Sequence, residues 1–399
     1  MSEISPETHE NSPQQMAEVI DYSDVAVVTV ATRNYFHRVR SLFASVAEHM
    51  PGALQVACCV DAFDGLLDPE EEGYEIFEAS DLGIPRFEQF VFALNPTAAC
   101  CALKPHAVLR ALKYPGIKRV LYIDNDMGLY SRPDELFDFL DRHSFVLTPH
   151  HSNPLPAGAS PDEMTLLPYG IYNAGMFALN NNEEAVRFLE WWANWMSDPR
   201  HVFAEWAYDQ IWLNYAPVYC RDAGIFHGPG YNVAFWNFAE RDLRQDDDAF
   251  FCGEYPLVLF HFSNFVDENP TSMVSDNLDV DVVESDSTRA LGVAIAESWC
   301  EHGRGECLAW GYQYRSWHDG ASVSEKERDR VRDSWDAIDP ELDLWSATLA
   351  DDHPELYGDI RADYLTALAN AKKEQGGVLN SLMDISLRKV LSRVRKRAQ

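Results

Sequence analysis

The chain has 399 residues, with 64 acidic against 32 basic and a formal charge of -32 at neutral pH. That length can bury a large core in two or three folding units, while the charge argues against a nucleic-acid binder, because contacts to phosphate need lysine and arginine on the facing surface. An anionic ligand would therefore need a local cation, and a divalent metal held by acidic side chains supplies one.

Residues 1–20 begin "MSEISPETHENSPQQ", rich in Ser, Pro, Glu and Gln, and are expected to form a disordered tail. This stretch lacks the basic start and apolar run of a secretory signal, and no later run is long enough for a membrane span. The eight cysteines include the neighbours Cys58/Cys59 and Cys100/Cys101 and show no CxxC spacing. Reduced thiols in a cytoplasmic protein are the expectation.

"DVAVVTVAT" reads as a buried strand, "FHRVRSLFASVAEHM" as a helix and "LQVACCVD" as a second strand ending in Asp61. Strand, helix, strand is the opening of a parallel sheet. A helix over Leu103–Lys113, with Leu103, Val108, Leu109 and Leu112 inside, stops at "PGI" before the strand "RVLYI". Asp124 then stands at a carboxyl end, the edge where open α/β sheets bind ligands. "RPDELFDFL" starts another helix, "NAGMFALN" is a further strand, and Glu183–Met196 forms a long helix. Residues 271–399 read as a helical C-terminal region, distinct from a sheet-bearing domain over residues 21–270. Its end gathers Arg388, Lys389, Arg393, Arg395, Lys396 and Arg397 behind apolar positions. That basic amphipathic segment suits peripheral contact with an anionic membrane face, or an intramolecular clamp on the acidic body.

Asp124 and Asp126 can both turn toward one cation where the strand leaves its ladder, and hard oxygen ligands favour manganese, magnesium or calcium over zinc. The same spacing recurs at Asp246/Asp248 and Asp279/Asp281, but only Asp124/Asp126 follows an apolar strand. Context, not spacing, singles the pair out.

The succession "RVLYIDNDM…PDELF", "YNAGMFALN", "DQIWLNY" and "LFHFS", spread over about Asp21–Phe265, resembles the family 8 retaining glycosyltransferases, the glycogenin and galactosyltransferase-like group. The resemblance implies a GT-A-type, Rossmann-like nucleotide-diphospho-sugar transferase domain of α/β class. It makes Asp124, Asp126 and His261 the ligands of manganese or magnesium, with Asn125 reaching ribose or sugar. It gives Asn173, Ala174 and Gly175 to the sugar pocket and sets Asp209 and Gln210 beside the anomeric carbon. Ala31, Thr32, Asn34 and Tyr35 would line the nucleotide loop, Asp61 would accept from the base edge, and Lys104 would reach the donor. The implied activity moves a hexose from a nucleoside-diphosphate sugar, expected to be a uridine diphosphate sugar, to a glycan, lipid-linked or small-molecule acceptor.

The chain departs from the family after His261, where "HFSNFVDENP" supplies Asn264 and no lysine for the diphosphate. Taken without those other motifs, His261 and Asp209 would read as a buried core histidine and a helix-surface acid. Two other classes stay open at this stage: a haloacid dehalogenase-like phosphatase using the same aspartates, and a non-catalytic carbohydrate-binding relative.

Overall fold

The structure is a computed structural model that describes residues 20–202, 208–247, 249–275, 280, 282 and 284–354. The expected tail up to residue 19 and the basic C-terminal segment lie outside the described residues. Val25–Ala31 forms β1, buried at every position. Its alternate side chains serve two cores: Ala26, Val28 and Val30 face one, and Val25, Val27 and Ala31 the other. A strand covered on both sides needs an unbroken apolar run, and this segment has one.

After β1 come α1 (Phe36–His49), β2 (Leu54–Cys59), β3 (Glu75–Glu78), α2 (Phe87–Ala93), α3 (Pro96–Ala111) and β4 (Arg119–Ile123). β5 (Met127–Leu129), α4 (Asp134–Leu140), β6 (Phe145–Pro149), β7 (Tyr172–Asn180), α5 (Glu183–Met196) and β8 (Gly224–Ile225) follow. The main sheet has the order β3-β2-β1-β4-β7-β6-β8. β3, β2, β1 and β4 are mutually parallel, and the strand order reverses between β1 and β4. That reversal is a topological switch point, where the carboxyl ends of two strands open a crevice.

The sheet is mixed rather than wholly parallel, because β7 runs against both β4 and β6. α3 begins seven residues before the expected Leu103 start. Asn95 caps it, its side chain accepting from the Ala98 amide, and Pro96 occupies the first turn. The small residues of "PTAACCA" carry little apolar periodicity, so the start was marked by the cap rather than by the pattern.

Beyond β8, β9 (Leu243–Asp246), β10 (Ala249–Cys252) and β11 (Tyr255–Pro256) form a small antiparallel sheet. β12 (Leu259–His261) pairs antiparallel with β5, His261 opposite Met127. The segments α6 (Asp286–Glu301), α7 (Arg304–Trp310) and α8 (Glu325–Asp333) lie on the outside of the sheet unit. Trp299 of α6 packs on Phe262 and Phe265. The buried guanidinium of Arg328 on α8 donates to the carbonyls of Phe92 and Leu94, each at 2.6 Å, closing the free end of α2. No helix among the described residues is long and apolar enough to cross a membrane. All eight cysteines are unpaired.

Candidate active site

β4 delivers Asp124 to the sheet edge at the switch point. The reversed course of β7 delivers its opening residues to the same edge: Ile123 pairs with Met176, and the Asp124 amide donates to the Gly175 carbonyl at 2.8 Å. Had β7 run parallel, Asn173, Ala174 and Gly175 would sit at the far end of the sheet. The β5/β12 ladder brings in His261, and the Phe262 amide donates to the Asp126 carbonyl at 2.8 Å. His261 Nε2 lies 3.2 Å from Asp126 Oδ1.

Around Asp124 is a closed set of charges. Lys104 projects from the interior of α3, 4% exposed, and its Nζ lies 3.0 Å from Asp124 and 3.2 Å from Asp209 Oδ2. It also donates to the Ala174 carbonyl at 3.2 Å. Burial alone would lower the ammonium's pKa, but the carboxylates of Asp124 and Asp209 raise it well above the ordinary lysine value. Asp209 is pushed up to about 6 by burial, against the pull of Lys104. Burial also pushes Asp126 upward, yet His261, with help from Arg38 and Lys104, carries it down to about 2. The Tyr122 hydroxyl donates to Asp124 Oδ1 at 2.7 Å.

Gln210 ties the loop after α5 to β7. Its Oε1 accepts from Asn173 Nδ2 and from the Ala174 amide, each at 2.9 Å, and its Nε2 donates to the Tyr169 carbonyl at 2.8 Å. Asn173 Oδ1 accepts from the Gly175 amide at 3.0 Å. A Cβ on Gly175 would stand 2.5 Å from His261 Cε1 and 2.8 Å from its Nδ1. The glycine is what lets the imidazole lie against β7.

The nucleotide loop predicted from sequence follows β1. Ala31 and Thr32 are buried, Tyr35 is exposed, and the Asn34 Oδ1 is buried without a partner. Asn125 turns away from the acidic pair and donates to the Val30 carbonyl at 2.8 Å, clipping the turn after β4 to β1. Asp61 is fully buried; its oxygens accept from the amides of Gln313 at 2.6 Å and Arg33 at 2.9 Å. The structure therefore brings Asp124, Asp126, His261, Lys104, Asn173, Ala174, Gly175, Asp209 and Gln210 into one cluster. Asp61 stands behind the nucleotide loop with both oxygens engaged.

Sequence reasoning missed Tyr122 and His150. Tyr122 lies two residues before Asp124, so strand alternation sets both on one face. His150 follows β6, and its Nδ1 lies 3.2 Å from the Ile171 carbonyl, its Nε2 3.4 Å from Asn173 Nδ2. Its signal was position just after an apolar strand parallel to β4. Trp236 is buried and packs edge-on against His261 and His150, with ring centroids 5.1 and 5.4 Å apart.

One ligand atom each from Asp124, Asp126 and His261 falls within 4.8 Å of the others. Two carboxylates and an imidazole form a donor set for manganese or magnesium, and Asp126 is already ionised at neutral pH. The His261 Nδ1 is buried without a hydrogen-bond partner, so no backbone carbonyl holds the ring as in an ordinary core histidine. These residues fit a divalent cation. Two surface hollows lined by Asp81–Pro115 residues and by Glu184–Arg221 residues lie elsewhere on the molecule.

No family profile matches the chain. It is similar to two proteins of Bacillus subtilis (strain 168). The uncharacterized protein YfnD is 22% identical over 248 residues, covering 59% of this chain and 76% of YfnD. The uncharacterized protein YfnF is 25% identical over 179 residues, covering 42% of this chain and 56% of YfnF. Among solved structures it is similar to the glycosyltransferase GlyE of Streptococcus pneumoniae TIGR4, with a TM-score of 0.38 and 14% identity over 71% of this chain and 63% of GlyE. The galactosyltransferase LgtC, solved with donor and acceptor sugar analogs, gives a TM-score of 0.41 and 16% identity over 76% of this chain and 99% of LgtC. Mouse xyloside xylosyltransferase 1 gives 0.37 and 14% over 60% of this chain and 97% of that one. At such scores the roles of individual residues rest on this chain's own geometry.

Proposed function

We propose that the chain is a metal-dependent glycosyltransferase of GT-A type. It would take a hexose from a nucleoside-diphosphate sugar and pass it, with retention of anomeric configuration, to a sugar or other hydroxyl-bearing acceptor. The observation that carries this reading is the convergence of Asp124, Asp126 and His261 at the carboxyl edge of the β1/β4 switch point, directly beside the Asn173–Gln210–Asp209 group. Asp124, Asp126 and His261 would hold the cation, which when bound supplies positive charge to the leaving diphosphate.

The chain's own residues would do the rest. Asn34 and Tyr35 would hold the nucleoside after β1. Asn173 and Gln210, locked to each other, would present fixed amides to sugar hydroxyls, with little reorganisation left for the moment of reaction. Asp209, held by Lys104, would lend negative charge near the sugar as positive charge develops on it. Uridine diphosphate is the first carrier to test, and the family 8 likeness is the reason.

A thermal-shift screen of nucleotide sugars, with and without manganese, tests the reading. Stabilisation that needs both together is the expected result, because a ligand that binds only the native state raises its apparent stability. Asp124→Asn should remove that joint stabilisation and the transfer activity. Undiminished donor hydrolysis and transfer by this variant with manganese present would refute the assignment. Joint stabilisation without turnover on any sugar acceptor would favour a carbohydrate-binding relative instead.

A further inference from the structure

Charge accounting at the cluster leaves a gap. Asp124, Asp126 and Asp209 bring three negative charges, Lys104 returns one, and a divalent cation cancels the remainder. A diphosphate would then enter a neutral site inside a protein of charge -32. Lys104 is engaged by Asp124 and Asp209. Arg33 is held by Asp64 and the Gly311 carbonyl, Arg40 by Glu72, and Arg304 by Asp267 and Glu268. Each of these cations is committed to a protein acid.

Arg38 is different. It sits in the first turn of α1, and among the described residues it forms no hydrogen bond or ion pair; its Nε is buried without a partner. Its guanidinium is held by rings, 4.6 Å from the Tyr35 centroid and 4.1 Å from that of Trp299. Tyr35 belongs to the nucleotide loop. Trp299 packs on Phe262, the residue after His261, whose amide bonds Asp126. Arg38 therefore touches the loop that would hold a nucleoside and, through Trp299 and Phe262, adjoins the strand that carries His261 to the cluster that would hold the metal.

The geometry points to Arg38 as the residue that grips the donor's diphosphate, the role for which the segment after His261 offers no lysine. This assignment rests on the donor reading above and specifies it. A planar guanidinium stacked on aromatic rings loses little freedom on binding and meets two phosphate oxygens at once. The surrounding rings leave its N–H groups unspent.

Calorimetric titration of the full chain with UDP, in the presence of manganese, tests the assignment. Arg38→Ala should weaken manganese-dependent UDP binding by about tenfold or more. Arg38→Lys should recover part of that loss, and uridine binding should be the same in all three proteins. Manganese binding without nucleotide, followed by paramagnetic resonance, should stay within about twofold of wild type, since Arg38 is not a ligand. Arg38→Gln keeps the stem on Trp299 and serves if the alanine variant fails to fold. Unchanged UDP affinity in Arg38→Ala or Arg38→Gln, with wild type binding UDP, overturns the role of Arg38 and leaves the donor reading standing. Absence of manganese-dependent binding of UDP and of GDP to wild type overturns both.

Discussion

The two sides of the crevice are built on opposite plans. On the β4/β7 side Lys104 joins Asp124 to Asp209, and Gln210 holds Asn173 and the Ala174 amide, so that most charged and amide groups have a protein partner and the His261 Nδ1 is an exception. On the β1/α1 side the Asn34 Oδ1 and Arg38 Nε have none, although both atoms are buried. Buried polar groups are nearly always satisfied, so a concentration of orphans beside a pre-satisfied network marks where a ligand completes the bonding. One side is rigid before the ligand arrives. The other, on the proposed reading, would be finished by it.

The largest effect that separates the two sides concerns Lys104. Lys104→Ala would leave Asp124 and Asp209 facing each other without a cation, and removing one partner from a buried charged group costs roughly 3–5 kcal/mol. Urea denaturation at pH 7 should show that loss. A change below about 1 kcal/mol, the range of an exposed pair, would mean that the network is not pre-formed.

Acid sharpens the comparison from the same side. Burial lowers the His150 imidazole to about 4, and its neighbours define a neutral tautomer: Nδ1–H donates to the Ile171 carbonyl, and Nε2 accepts from Asn173. The native pKa lies below the unfolded value near 6.5, so the unfolded chain takes up a proton first as pH falls. Stability from this residue is complete above about pH 6.5 and is lost as pH drops toward 4, by about 3 kcal/mol in all. His150→Gln should show a smaller fall in stability between pH 7 and pH 4 than wild type. Equal falls would remove His150 from the account.

How much of this was written in the sequence varies by element. β1 and β4 were legible because strands buried on both faces need continuous apolar runs, and Asp124 was legible because it ends one of them. The reversal of β7 was not: "YNAGMFALN" has the same apolar character in either direction, and direction depends on how the chain crosses the sheet. Nor was the burial of Lys104, since its neighbours on α3 are small residues without a clear apolar stripe. His261 was found by resemblance, but the ladder to β5 that carries it to Asp126 is a long-range pairing across more than a hundred residues, which local pattern does not reveal. Arg38 was invisible for a related reason, because its setting depends on Trp299, far along the chain.

The smallest effect belongs to the unfinished side. Arg38 gains from two aromatic faces, each worth about 0.5–1 kcal/mol where partly exposed, but it gives up part of its hydration without a hydrogen bond in return. Those contributions oppose each other, so Arg38→Ala should change the stability of the ligand-free protein by no more than about 1 kcal/mol, in either direction. Lys104→Ala and Arg38→Ala each delete one cation from the same crevice, yet the first should register in urea without ligand and the second only when diphosphate is present. A ligand-free loss for Arg38→Ala as large as that for Lys104→Ala would show that the guanidinium is structural, and that the two sides follow one plan after all.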